Sequence, residues 1–331
     1  MLAFVAKRVG AAIAIVVVLV GVMFALQKMS GIDSAHAYLG AGASTKAVTV
    51  EKRALGLDDP VPAQFWHYLI GVAQGNFGAS YRTRDPVSHD LVEYLPATVE
   101  LATYALLLAA LMGLVLGLAS AAERRGSGLL KALMVGGAST PIFLLCLLGV
   151  LLFYGHLGWF PATGRSSYAD PPSGPTGLLT VDAVLHGRPG ALLDAWRHLV
   201  LPAFCLSIVP AVSIGRVLRA SLVAVLNEDY VRTARAKGLG ETVVLVRHAL
   251  RNAVGPALAM TGLQAGLLLA GDVVVEEIFA WPGVGNYIAQ GLPVGDFPAI
   301  SGVTIVFGAG YVFVNAIVDL LQRAADPRVR I

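Results

Sequence analysis

Charge is what this sequence has least of: Asp, Glu, Lys and Arg make up 14% of its 331 residues, against 56% hydrophobic. Soluble domains carry about 25% charged residues, so this composition excludes an ordinary soluble enzyme and indicates a membrane protein. Cysteine is equally sparse. Cys146 and Cys205 both fall inside apolar runs, which excludes a disulfide framework and leaves them as small hydrophobes. The histidines are scattered, without the close pairing of a zinc site. No phosphate-binding loop is present; the nearest stretch, GAGASTK at 40–46, has Thr45 where glycine must precede the lysine. Gly-x-Ser-x-Gly and His-Glu-x-x-His are missing too, so neither an ATPase nor a hydrolase is expected. Ionisable residues inside the apolar runs are few, which argues against a proton-coupled carrier. Energy for any transport must then come from outside the chain.

Long apolar runs are what the sequence has in abundance. A bilayer core about 30 Å thick takes roughly 20 apolar helical residues. Candidate spans are 9–26, 101–122, 132–157, a shorter 198–215, 253–271 and 299–321. The expected fold is all-α: a polytopic membrane protein with six transmembrane helices and extra extracytoplasmic loop helices. The stretches 65–72 and 178–196 suit amphipathic surface helices instead. The first run is longer than a signal-peptide core and lacks a small-residue cleavage site after it, so it reads as an anchor.

Lys and Arg gather at alternate span ends: Lys7 and Arg8, then Arg124, Arg125 and Lys131, then Arg216, Arg219, Arg232, Arg235, Lys237, Arg247 and Arg251, and finally Arg323, Arg328 and Arg330. The acids Asp58, Asp59, Asp85, Asp90 and Glu93 fall on the other side. The positive-inside rule then places both termini in the cytoplasm. Basic residues that track span ends do not form a nucleic-acid patch, so no nucleic-acid partner is expected.

One loop concentrates signals. In DYVRTARAKGLGETVVLVRHALRNA, Asp229 to Ala253, Asn227 is placed to cap a helix whose first turn holds Glu228 and Asp229. Arg235 and Lys237 suit its last turn, and Gly238 suits the left-handed residue that ends it; a second helix is expected over 241–253. Tyr230, Val231 and Ala234 share a face flanked by Arg232 and Arg235. That patch suits docking on an acidic partner, whereas a plain basic loop would need neither cap nor glycine. Elsewhere, Gly113 with Gly117 and Gly262 with Gly266 have the spacing of close helix packing, and Pro141 should kink the third span. Asp272 is the one deep acid, with Glu276 and Glu277 beyond it; it either lines a cavity or reaches the interface. Trp281 and Pro282 fit an interfacial aromatic turn better than a gate.

The loop resembles the cytoplasmic loop of importer-type ABC permeases, whose Glu-Ala-Ala, three residues, Gly pattern aligns with Arg232, Thr233, Ala234 and Gly238. RTA followed by RAKGL, and HALRNA at 248–253, resemble the dipeptide, oligopeptide and nickel branch. LGLDDPV, GNFGAS, PATVEL, STPIF, HLVLPA, EEIFAWPGVGNYI and the terminal DPRVR follow in matching order over nearly the whole length. Departures are SGID at 30–33 in place of a Pro-Gly-Asp-Pro turn, Asp272 in place of a small residue, and Glu277 beside the usual Glu276.

This resemblance implies a type I ABC importer permease: an N-terminal helix over 1–29, an extracytoplasmic region over 30–98, and a five-helix core over 99–331 with a coupling loop at 222–252. It implies a second homologous permease subunit, two cytoplasmic ATPases that bind ATP and Mg, and an extracytoplasmic solute-binding protein, with no cofactor or metal on this chain. Glu228, Asp229, Tyr230, Arg232, Thr233, Ala234, Arg235, Lys237 and Gly238 would contact the ATPase. Pro141, Gln264, Asp272, Glu276 and Trp281 are candidate pathway or gate residues. Short peptides are the expected cargo, with nickel, glutathione or oligosaccharide as alternatives.

Overall fold

The computed structural model describes residues 2–40, 42–54, 56–121, 127–269 and 273–325. Among these the secondary structure is helical, with no β-strand and one isolated bridge between Ala79 and Pro86. Hydrocarbon offers no water to pair with backbone N–H and C=O groups, so a chain this apolar closes those bonds within helices. In chain order the helices are α1 (Leu2–Met29), α2 (Ser34–Leu39), α3 (Thr45–Ala54), α4 (Val61–Ala73), α5 (Val87–Ala121), α6 (Ser127–Ser139), α7 (Ile142–Gly149) and α8 (Leu179–Leu185). They continue as α9 (Pro189–Leu226), α10 (Asp229–Ala236), α11 (Glu241–Val243), α12 (Leu250–Leu269), α13 (Val273–Ile278), α14 (Val284–Gly291) and α15 (Phe297–Ala325). Wider π-turns follow α7 at Val150–His156 and α11 at Val244–Ala249.

Among the described residues four helical stretches, not the expected six, are long and apolar enough to cross a bilayer: Gly10–Met29, Val87–Ala121, Pro189–Leu226 and Phe297–Val318. The expected fourth span was the shortest, yet α9 has 38 residues and extends about 57 Å at 1.5 Å per residue. Its additional turns take in Arg197 at one end and Arg216 and Arg219 at the other, beyond the charge-free segment. α12, with 20 residues, stands where the fifth span was expected but is not among these four. The third is broken instead of kinked. α6 stops at Ser139, and Pro141, which has no N–H to donate, stands as the N-cap of α7. The Asp272 position and the terminal DPRVR lie outside the described residues, as do Arg124 and Arg125.

The chain divides into two compact units, Met1–Thr98 with Pro282–Phe313 and Val99–Trp281 with Val314–Ile331. In the first, Val20 and Met23 of α1 bury with Ile305 against Phe65, Tyr68, Leu69 and Val72 of α4. The opposite side of α1 leaves Ile13, Ile15 and Val18 exposed, as a lipid-facing helix must. A second cluster joins Val87 and Leu91 to Val284, Tyr287, Ala299 and Val303. Beside it Asp90 is buried, accepting hydrogen bonds from Thr83 Oγ1 and Tyr287 Oη at 2.7 Å each.

The second unit is built on α9, most of whose apolar length is buried. Glycines, by lacking a Cβ, let it come close to α5. A Cβ on Gly117 would come within 2.7 Å of Leu218, one on Gly113 within 2.9 Å of Ile214, and one on Gly215 within 2.8 Å of Leu116. The Gly113/Gly117 pair thus serves packing inside the chain. Gly262 is closer still, its Cβ position 2.2 Å from Val318 Cγ1. The connection before α9 folds back on α5 through charge: Glu100, 3% exposed, accepts from Arg165 Nε at 3.0 Å, and from Thr180 N and Oγ1 at 2.7 and 2.6 Å. Arg165 also donates to the Gly177 carbonyl at 2.8 Å. Burying a carboxylate is costly, and this pairing offsets the cost.

The turn after α13 is closed by Ala280 N to Glu277 O at 3.2 Å and Trp281 N to Glu276 O at 2.8 Å. That bond pair ends a helix on a left-handed residue, usually glycine. Here it is Ala280 at φ 44°.

Two outcomes follow for the purified chain, read as thermal unfolding midpoints. Gly117→Ala should destabilise it by about 1–3 kcal/mol through overpacking, whereas Gly136→Ala, with nothing within 4 Å, should not. Ala280→Val should lower the midpoint because a β-branched residue resists φ above zero, and Ala280→Gly should hold or raise it.

Candidate functional site

The loop after α9 carries the candidate site. α9 ends at Asn227, whose N–H bonds the Ala224 carbonyl at 3.2 Å and whose Nδ2 bonds the Val223 carbonyl at 2.9 Å. Asn227 therefore closes α9 and does not cap α10. The N-cap is Glu228, extended at φ −71° and ψ 149° with no side-chain capping bond; the negative charge of Glu228 and Asp229 still complements the helix dipole. At the other end Gly238 has φ 80°, with its N–H bonded to the Arg235 carbonyl at 2.9 Å and Leu239 N to the Ala234 carbonyl at 3.4 Å. Glycine adopts this conformation without a Cβ clash.

The expected apolar docking patch is corrected. Val231 is fully buried and Ala234 is 7% exposed, packed on Val244 with Val225 and Leu226. Spending these side chains on the second unit's own core leaves a polar outer face: Tyr230, Arg232, Thr233, Arg235 and Lys237 are exposed, as are Glu228 and Asp229. Tyr230 Oη accepts a hydrogen bond from Asn252 Nδ2 at 2.8 Å. Thr233 Oγ1 donates to the Asp229 carbonyl at 3.0 Å. Arg232 pairs with Asp229 at 3.3 Å, but both are too exposed for the pair to hold much.

Arg235 makes the stronger connection. Its Nε and Nη2 donate to the two oxygens of Glu241 at 2.7 and 3.2 Å, and Nη1 donates to the Leu226 carbonyl at 3.4 Å. The side chain thus bridges the end of α9, α10 and the start of α11 around the Gly238 turn. Arg235 hydrogen bonding holds the Glu241 carboxyl below its usual value, and the same pair raises the guanidinium. A depressed acid contributes above its ordinary value and stops contributing as pH falls through the lowered one, so the bridge is intact at neutral pH.

Beyond Glu241 the expected helix does not stop at Ala253. α11, the π-turn and α12 form one run, with neither glycine nor cap at 253 to end it. On that run Ala249, Ala253 and Ala257 bury against Leu218 and Leu222 of α9 and Ala109 of α5. The exposed helix α10 is consequently fixed to the ends of two long helices at once.

Pro141 is exposed at the α6–α7 break, and Gln264 is half-buried on α12 with Nε2 3.7 Å from Met260 Sδ. Glu276 and Trp281 are each 1% exposed and meet in the turn after α13. Trp281 is thus an interior side chain, 6.0 Å beneath the Arg165 guanidinium, and not an interfacial one. Sequence reasoning missed Glu100, Arg165, Thr180, Glu241 and Asn252 as structural partners. Glu100 carried a legible signal, an acid placed directly before a charge-free apolar run.

Comparison with known proteins gives the family. A family described as "Binding-protein-dependent transport system inner membrane component" matches residues 110–331, and its N-terminal counterpart matches residues 1–102. A probable D,D-dipeptide transport system permease protein of Escherichia coli is 41% identical, over 90% of this chain and 88% of that protein. A di/tripeptide permease of Pseudomonas aeruginosa is 39% identical over 100% of this chain and 99% of its own length, and a glutathione permease of Salmonella typhimurium is 34% identical with the same coverage. The chain belongs to the binding-protein-dependent transport system inner membrane components, as a multi-pass permease subunit and not an enzyme.

Proposed function

We propose that this chain is one permease of an ATP-driven importer of short peptides, paired with a second homologous permease and served by an extracytoplasmic solute-binding protein. Two cytoplasmic ATPases, binding ATP and Mg, would grip the exposed face of α10. Both termini and the 222–252 loop would then be cytoplasmic, 1–29 the first helix, 30–98 extracytoplasmic, and 99–331 the core. The full-length similarity to the di/tripeptide permease supports the cargo. Glutathione, itself a tripeptide, is a second reading favoured by the Salmonella relative.

The loop's geometry supports the mechanism. Val231 and Ala234 tie α10 to the second unit's core, while its polar face remains available. Movement of a gripped α10 would pass through the Arg235 bridge and Val244 into α9 and the α11–α12 run. Glu276 and Trp281, where α13 packs against α7, would respond as part of the pathway wall.

Uptake of a labelled dipeptide by cells with and without the chain, energised and de-energised, tests the cargo. Loss of energised uptake on deletion is expected, with unlabelled glutathione as competitor separating the second reading. Undiminished uptake in cells lacking other peptide systems would remove the peptide assignment. Gly238→Val should abolish uptake while the chain still inserts and the ATPases still hydrolyse ATP; normal uptake would contradict the coupling role.

Arg235→Glu should reduce uptake, and adding Glu241→Arg should restore it if the bridge matters. No restoration would assign Arg235 to the ATPase contact instead.

A further inference from the structure

The first unit contains a cavity of about 630 Å³ that the transport reading does not use. Small-molecule sites span about 300–1,000 Å³, so its size suits a ligand. Its wall includes Lys28 at the end of α1, Asp33, Glu51 and Lys52 of α3, Asp58, and Gln64 of α4.

Charge is unevenly satisfied there. Lys52 pairs with Asp33 at 2.7 Å, and that bond holds the Asp33 carboxyl below its usual value. Lys28 has no carboxylate partner among the described residues. Its ammonium donates to Gln64 Oε1 and stands 5.7 Å over the Phe24 ring. Gln64 is itself oriented, its Nε2 donating to the Leu57 and Asp59 carbonyls at 2.9 and 2.6 Å. An ammonium has three N–H donors, so Lys28 keeps two for a ligand. Across the described residues Glu51 and Asp58 have no cationic partner either. Phe24, Tyr68 and Phe77 supply apolar wall.

We propose that this cavity binds a small zwitterion, its ammonium received by Glu51 and Asp58 and its anionic group by Lys28. Three carboxylates against two ammoniums in the wall disfavour a simple anion, and an oriented Lys28 disfavours a simple cation. A free short peptide and an aminophospholipid headgroup share this chemistry. The proposal stands on the first unit alone, whatever the cargo.

The full chain in phosphatidylcholine nanodiscs would be titrated by calorimetry with alanyl-alanine and with N-acetyl-alanyl-alanine. Discs containing phosphatidylethanolamine would be examined in parallel for retained lipid by native mass spectrometry. A free-amine peptide that binds about tenfold or more tightly than its acetylated form supports the proposal with a soluble source. Preferential retention of phosphatidylethanolamine supports it with a lipid source. In either case Lys28→Met, and Glu51→Gln with Asp58→Asn, should each weaken the effect about tenfold. Equal binding of both peptides with no lipid preference overturns the proposal, as does wild-type binding by folded variants. The comparison of peptides and lipids on the wild type needs no variant to fold.

Discussion

The approach of α5 to α9 is the contact on which the second unit depends. Gly113 and Gly117 remove the Cβ atoms that would collide with Ile214 and Leu218, and Gly215 does the same for Leu116. In lipid there is little hydrophobic drive to bring helices together, so close packing of small residues must supply the attraction. That proximity buries α9 and gives α12 a surface on which its alanines settle. The loop between these helices therefore starts and ends on fixed points.

Those fixed points turn a short helix into a rigid projection. α10 has only eight residues, too few to be stable alone. Its order comes from two buried side chains, a left-handed glycine and one bifunctional arginine. Val231 and Ala234, which order it, face inward, while the polar side chains face outward, among them Arg235, which also helps to order the turn. At Glu100 and Arg165 an ion pair, its carboxylate buried and its guanidinium largely so, secures the connection before α9 to α5. In such a place the pair's value is positional, since burying both charges costs much of what their attraction returns.

Much of this was legible from residue order. Apolar run length specified helices, because each backbone polar group must be satisfied within hydrocarbon, but not their number: six spans were expected, and among the described residues four helices are long and apolar enough to cross. Gly238 could be read as a helix stop from its position after Arg235 and Lys237. Asn227 misled because the chain reverses within two residues, and a residue eligible to cap the next helix was already occupied in closing the previous one. Val231 and Ala234 misled for a related reason: helical spacing identifies a shared face without saying what covers it.

Sequence alone thus determined helical class and family, since these rest on local pattern and ordered motifs. Tertiary structure decided which face of α10 is free, that Pro141 separates two helices, that Trp281 is interior and that Arg235 reaches both Glu241 and Leu226. Each of these depends on atoms brought together by folding. Periodicity ranks the residues that can meet, but only packing selects the ones that do.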